Sequence, residues 1–179
     1  MATLHTIGHS TRTADEFVEL LTTYGIDLLV DVRQFPASRR FPHFNSDALS
    51  GLLLQHHIGY VHEVDLGGRR RPSAESANAY WKNASFRAYA DYMASPGFQA
   101  ALDRLMAHAG RHDTAIMCAE AVPWRCHRWL ISDALVVHGF DVMHVIDLKH
   151  SQPHVLNPSA RIDPQQVLTY PAAQLRLLD

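Results

Sequence analysis

Apolar residues recur along this chain in blocks of two kinds. Leu4–Gly8 is a short apolar run and predicts a first strand. Over Ala14–Tyr24 the residues Phe17, Leu20, Leu21 and Tyr24 fall at i, i+3, i+4 and i+7, the spacing of one helix face. Thr13 with Glu16 three residues on makes a capping box, and Gly25 ends the helix. Asp27–Val32 (DLLVDV) is apolar without alternation, as suits a strand buried on both faces. A helix is expected over Asp47–His57 with Ser46 as its cap, then a third strand near Tyr60–Val64, broken by Gly67 and Gly68.

Residues 69–83 (RRRPSAESANAYWKN) read as a long loop, a length usually reserved for function or mobility. Phe86–Met93 and Phe98–His108 are helical in pattern, separated by Ser95-Pro96-Gly97, and Thr114–Met117 is a fourth strand. Pro123–His138 is expected to be a helix, with proline near its first position and Gly139 after its end; Asp141–Ile146 is a fifth strand. Beyond about Lys149 the pattern weakens, with a late helix expected near Pro171–Leu178. Alternating strands and helices imply parallel pairing with right-handed crossovers. The expectation is therefore an α/β, Rossmann-like three-layer fold with a mostly parallel sheet of about five strands. It forms one domain over residues 1–179, with a core over about 4–148 and an extension from about 149 to 179.

A chain of 179 residues is ample for such a core. The net charge of −2 argues against broad duplex binding, although a local nucleic-acid contact stays open. No apolar run reaches the roughly 20 residues of a membrane span, and MATLHTIGHS does not have the look of a leader. Two cysteines, Cys118 and Cys126, cannot build a disulfide framework, so a cytoplasmic protein with reduced thiols is expected.

The chemistry-bearing residues gather after strands, where open α/β sheets bind ligands. Gly8-His9-Ser10 follows the first strand and Asp31-Val32-Arg33 ends the second. Leu66-Gly67-Gly68-Arg69 follows the third, and Cys118-Ala119-Glu120 the fourth. In Cys118–Arg128 (CAEAVPWRCHR), a helix beginning near Pro123 would aim its positive end at the loop; with Arg125, His127 and Arg128 near, it would favour thiolate at Cys118. Small buried packing is an equal reading for Cys118. Cys126, aligned with Leu130, Ala134 and Val137, is either core or a second thiol. Glu120, His127 and His9 are candidate acids, bases or orienting groups. Asp31 is a candidate too, although its place on the same face as Arg33 suits a simple ion pair. The arginines Arg33, Arg39, Arg69 and Arg128 suit phosphate or carboxylate, and Gly67 and Gly68 would let backbone approach an anion. Tyr80 and Trp81 could stack a base or anchor the loop. Cys118, Cys126, His127 and His9 could together hold a metal. Their spacing lacks a C-x-x-C pair and matches no zinc motif, so no metal ligands are assigned and no cofactor is named.

TIGHS, LLVDVRQFPASRRFPHF, YVHEVDLGGRR, YWKNASFRAYADYM, CAEAVPWRCHR and GFDVMHVI occur in this order. From about Thr6 to Ile146 the chain resembles the bacterial and archaeal family called domain of unknown function 488. The resemblance implies as motif residues His9, Asp31, Arg33, Pro36, Ser38, Arg39, Pro42, Leu66, Gly67, Gly68, Cys118, Glu120, Cys126, His127 and Arg128; Val122 stands where many relatives carry an acid. It implies no particular reaction. A weaker likeness to rhodaneses would put Cys118 in the place of a sulfur-carrying cysteine, although its loop has a proline and no glycines. Three functional readings follow. The first is a thiol-dependent enzyme acting on an anionic, phosphate- or nucleotide-containing small molecule. The second is a non-catalytic nucleotide or nucleic-acid binding module, and the third a metal-binding protein.

Overall fold

The computed structural model describes residues 3–172. Five strands run parallel: β1 (Thr3–Gly8), β2 (Leu28–Asp31), β3 (Gly59–His62), β4 (Thr114–Cys118) and β5 (Asp141–Val145). A sixth, β6 (Ser151–Pro153), returns antiparallel on β5, giving the order β3-β2-β4-β1-β5-β6. The expected α/β three-layer architecture is present, with one more strand than the pattern suggested.

Helices α1 (Ala14–Thr23) and α2 (Ser46–Gln55) cover one face of the sheet, where Phe17, Leu21, Leu49 and Leu53 pack on Ile7, Leu29, Ala115 and Met117. Helices α3 (Ala84–Met93), α4 (Pro96–Ala109) and α5 (Arg128–Val137) cover the other, against Leu28, Val30 and Ile116. Successive side chains of a strand point to opposite faces. Ala115 and Met117 therefore face α1 and α2, whereas Ile116 and Cys118 face the layer of α3–α5. The capping box expected at Thr13 and Glu16 forms in full. Among the described residues no helix is long and apolar enough to cross a membrane.

Two helix starts need correction. Asn45, not Ser46, stands at the cap position of α2, which begins at Ser46. The helix expected from Pro123 begins at Arg128. Residues Pro123–Arg125 make one 3-10 turn, and Cys126 is extended (φ −134°, ψ 149°), which ends that turn before α5 starts. The weakly patterned extension carries strands that its sequence did not announce. After β6 come β7 (Arg161–Ile162) and β8 (Leu168–Thr169), a two-stranded ribbon, and then Tyr170, which is fully buried. Trp81 stacks on Phe86 and meets Tyr170 edge-on, so it anchors the long loop. Most of the late helix expected near Pro171–Leu178 lies outside the described residues.

The extension is clamped by a buried chain of polar groups. Asp133, on α5, accepts from His154 Nε2 (2.8 Å), the Asn157 backbone N–H (3.0 Å) and Tyr170 Oη (2.8 Å). His154 Nε2 therefore carries a proton. With His154 neutral, its Nδ1 accepts from His144 Nε2 (2.9 Å), and His144 Nδ1 then accepts from Thr6 Oγ1 (2.7 Å). Burial above all, with the charge of nearby Arg128, pushes His144 down to about 3, in keeping with a neutral ring.

Candidate functional site

Three of the residues singled out in the Cys118–Arg128 segment meet at one point. Cys118 ends β4 on the face of α3–α5. Cys126, extended just before α5, returns its sulfur to the same place, and His127 follows it. His127 Nδ1 lies 3.6 Å from Cys126 Sγ and 4.0 Å from Cys118 Sγ. His127 Nε2 is 3.0 Å from the carbonyl oxygen of Val32, which can only accept, so Nε2 carries a proton. The ring is gripped from both sides. Tyr89 lies against it at 5.1 Å between centroids, and a Cβ on Gly68 would come within 2.5 Å of Nδ1. Gly68 thus makes room for the imidazole, where the sequence suggested room for an anion. Gly67 packs in the same way against Gln34, and at Gly8 a Cβ would overlap the Glu120 carbonyl.

The two thiols titrate as one pair. Burial opposes a thiolate at Cys126, but the Cys118 thiol, His127 and Arg128 outweigh it and draw Cys126 well below the usual thiol range. The hydrogen bond to Cys126, together with burial, drives Cys118 the other way. Arg128 has no exposed surface and no carboxylate partner among the described residues. It donates to Cys126 Sγ (3.4 Å), Thr6 Oγ1 (3.4 Å) and the Glu120 carbonyl. It backs the sulfurs from inside the protein and does not reach toward solvent.

The sulfurs and His127 form the floor of an open cavity of about 360 Å³. Its walls include Arg33, Phe35, Phe86, Tyr89, Glu120 and two exposed arginines, Arg69 and Arg125. Arg69 also lies over the Phe35 ring, 5.5 Å from its centroid. Arg33 is almost wholly engaged: it is paired with Asp31 (2.6 Å) and donates to the Phe44 carbonyl. Asp31 is fully buried and also accepts from Tyr60 Oη. The pair therefore braces the wall formed by the segment after β2.

His9 sits one hollow away, in a depression that shares Arg33, Phe35 and Glu120 with the cavity. It is stacked on Phe44 and hydrogen-bonded to the Ser10 carbonyl, and burial lowers its pKa to about 4. Arg39 is exposed and lines neither hollow. Sequence reasoning missed Asp133, His144 and His154, although Ser132-Asp133 inside the apolar helix ISDALVV was a legible signal of a buried polar network. It also missed Arg125 as a cavity arginine, for which a solvated side chain near the thiols is the ordinary reading.

Comparison with known proteins finds one family. The model described as "Domain of unknown function DUF488" matches residues 13–135. No curated protein and no solved structure matches the chain.

Proposed function

We propose, for a chain that belongs to the DUF488 family, a thiol-dependent enzyme that acts on a small anionic substrate, phosphate- or nucleotide-containing, in the cavity beyond β4. One observation carries the reading: two sulfurs and an imidazole nitrogen converge on the floor of a cavity that carries free guanidinium groups on its wall. Arg69 and Arg125 hold the anion, because their forks face solvent while Arg33 and Arg128 are committed to protein partners. Phe35 and Phe86 give the substrate an apolar flank. Glu120, exposed at the rim, exchanges protons with water. Asp31 and His9 shape the wall from behind and touch no substrate.

The test is alkylation of chelator-treated protein by iodoacetamide, followed by peptide mapping. Cys118 or Cys126 is labelled through the cavity. Phosphate, pyrophosphate or a nucleoside phosphate slows that labelling at least about tenfold, which corresponds to about 1.4 kcal/mol of differential binding. The protection disappears in Arg69→Ser combined with Arg125→Ser. Labelling that no anion of this panel slows would remove the anionic substrate from the account.

A further inference from the structure

We propose that Cys118, Cys126 and His127 are three protein ligands of one thiophilic divalent cation of the zinc class, with the fourth position open to the cavity. The inference rests on the reading of this cavity as the working site, and gives the sulfurs their role there.

The three donor atoms lie within 4.8 Å of one another, the one such group of histidine, cysteine or carboxylate donors among the described residues. A tetrahedral ion with sulfur at about 2.3 Å and nitrogen at about 2.0 Å has a sulfur–nitrogen edge of roughly 3.5 Å. The observed separations from Nδ1 are 3.6 and 4.0 Å, so binding asks for a contraction of a few tenths of an ångström.

Nε2–H is held by the Val32 carbonyl, so a neutral His127 turns the lone pair of Nδ1 onto the sulfurs. A ligand histidine whose other nitrogen donates to a backbone carbonyl is the usual outer arrangement of a metal site. Gly68 and Tyr89 prevent the ring from turning away.

A divalent ion with two thiolates is neutral, so it adds no uncompensated charge beside the buried Arg128, whose Nε–H already points at Cys126 Sγ. The thiol protons leave to solvent as the ion enters.

Three protein donors and one open position form the pattern of a catalytic, not a structural, zinc site. An ion there would bind an anionic oxygen directly, between the sulfurs and the cavity arginines. His9 takes no part, because its nitrogens face Ser10 and Arg33 in the neighbouring hollow.

The experiment uses the untagged full-length chain, stripped with a chelator and titrated with Zn2+ against a competing chelator, and separately with Co2+. The expected result is one ion per chain, with cobalt giving a sulfur-to-metal charge-transfer absorption in the near ultraviolet. Cys118→Ser, Cys126→Ser and His127→Ala each weaken zinc by more than about 100-fold, a larger loss than an outer-shell change brings. The wild-type cobalt spectrum needs no variant to fold: stoichiometric cobalt without that absorption overturns the proposal, as does zinc affinity unchanged by Cys126→Ser. If no ion binds but phosphate still slows alkylation, this inference fails and the anion reading stands. If cobalt binds but no anion alters its spectrum or slows alkylation, the site holds metal and the anionic substrate fails.

Discussion

Asp133→Ala is expected to cost at least about 3 kcal/mol of folding stability, read as a shift in the urea midpoint. The carboxylate is fully buried and accepts from an imidazole and a backbone amide in the segment after β6 and from a phenol after β8. Deleting it leaves those donors unpaired with no route to water, and each orphaned buried donor costs about 1–3 kcal/mol. The effect spreads. Without Asp133 the extension carrying His154, Asn157 and Tyr170 loses its shared acceptor on α5, and Tyr170 in turn supports Asn78 and Tyr80 in the long loop. Asp133→Asn separates geometry from charge. Its Oδ1 still accepts from His154 and Asn157, and its NH2 donates to a turned Tyr170 hydroxyl. The asparagine variant should therefore lose less than half of what alanine loses. An alanine variant within 1 kcal/mol of wild type would contradict this account of the extension.

Asp31→Ala should be comparably severe, for a different reason. Asp31 and Arg33 pair at the end of β2 with Asp31 wholly buried, and Arg33 keeps only 5% exposure. Removing the anion strands a guanidinium in the interior, a loss of about 3–5 kcal/mol. Tyr60 Oη also loses its acceptor. Adding Arg33→Met removes the stranded cation. The double variant, compared with the singles by chemical denaturation, should then cost less than the sum of the two, since contacting partners do not add. Simple additivity would mean that the pair is not what braces the wall of the cavity.

The five parallel strands were legible because they are short runs of four to six residues punctuated by helices, three of them capped by Thr13, Asn83 and Ser95. β2, Leu28–Asp31, has all four residues buried, as DLLVDV requires of a central strand. The rim was legible for the same reason: once β4 is placed, Cys118 must stand at its carboxyl end. The joining of Cys126 and His127 to it was only half legible. Proline at the first position starts a 3-10 turn as readily as an α-helix, because in either its missing N–H has no partner to lose. Nothing in VPWRCHR announces that Cys126 becomes extended and delays the helix by about one turn. Arg128 misled for another reason. An arginine near a helix start reads as one that reaches an anion, and only the fold reveals that a sulfur, a hydroxyl and a carbonyl satisfy it in the interior. The ribbon β7–β8 and the seat of Tyr170 depend on partners far away in sequence, such as Asn78, and short polar strands carry almost no periodic signal of their own.

The two sulfurs come from the end of β4 and the entry to α5, and all of the proposed chemistry depends on their sharing one cavity floor with His127. A monoarsenical probes this without assuming a metal or a substrate, because phenylarsine oxide bonds two thiols at once with loss of water and binds a single thiol weakly. With zinc removed, the folded chain should take up one arsenic, located by mass spectrometry on a peptide pair linking Cys118 to Cys126, and neither Cys118→Ser nor Cys126→Ser should retain it. Wild-type protein that holds the arsenical no better than these single-thiol variants would mean that the sulfurs do not meet.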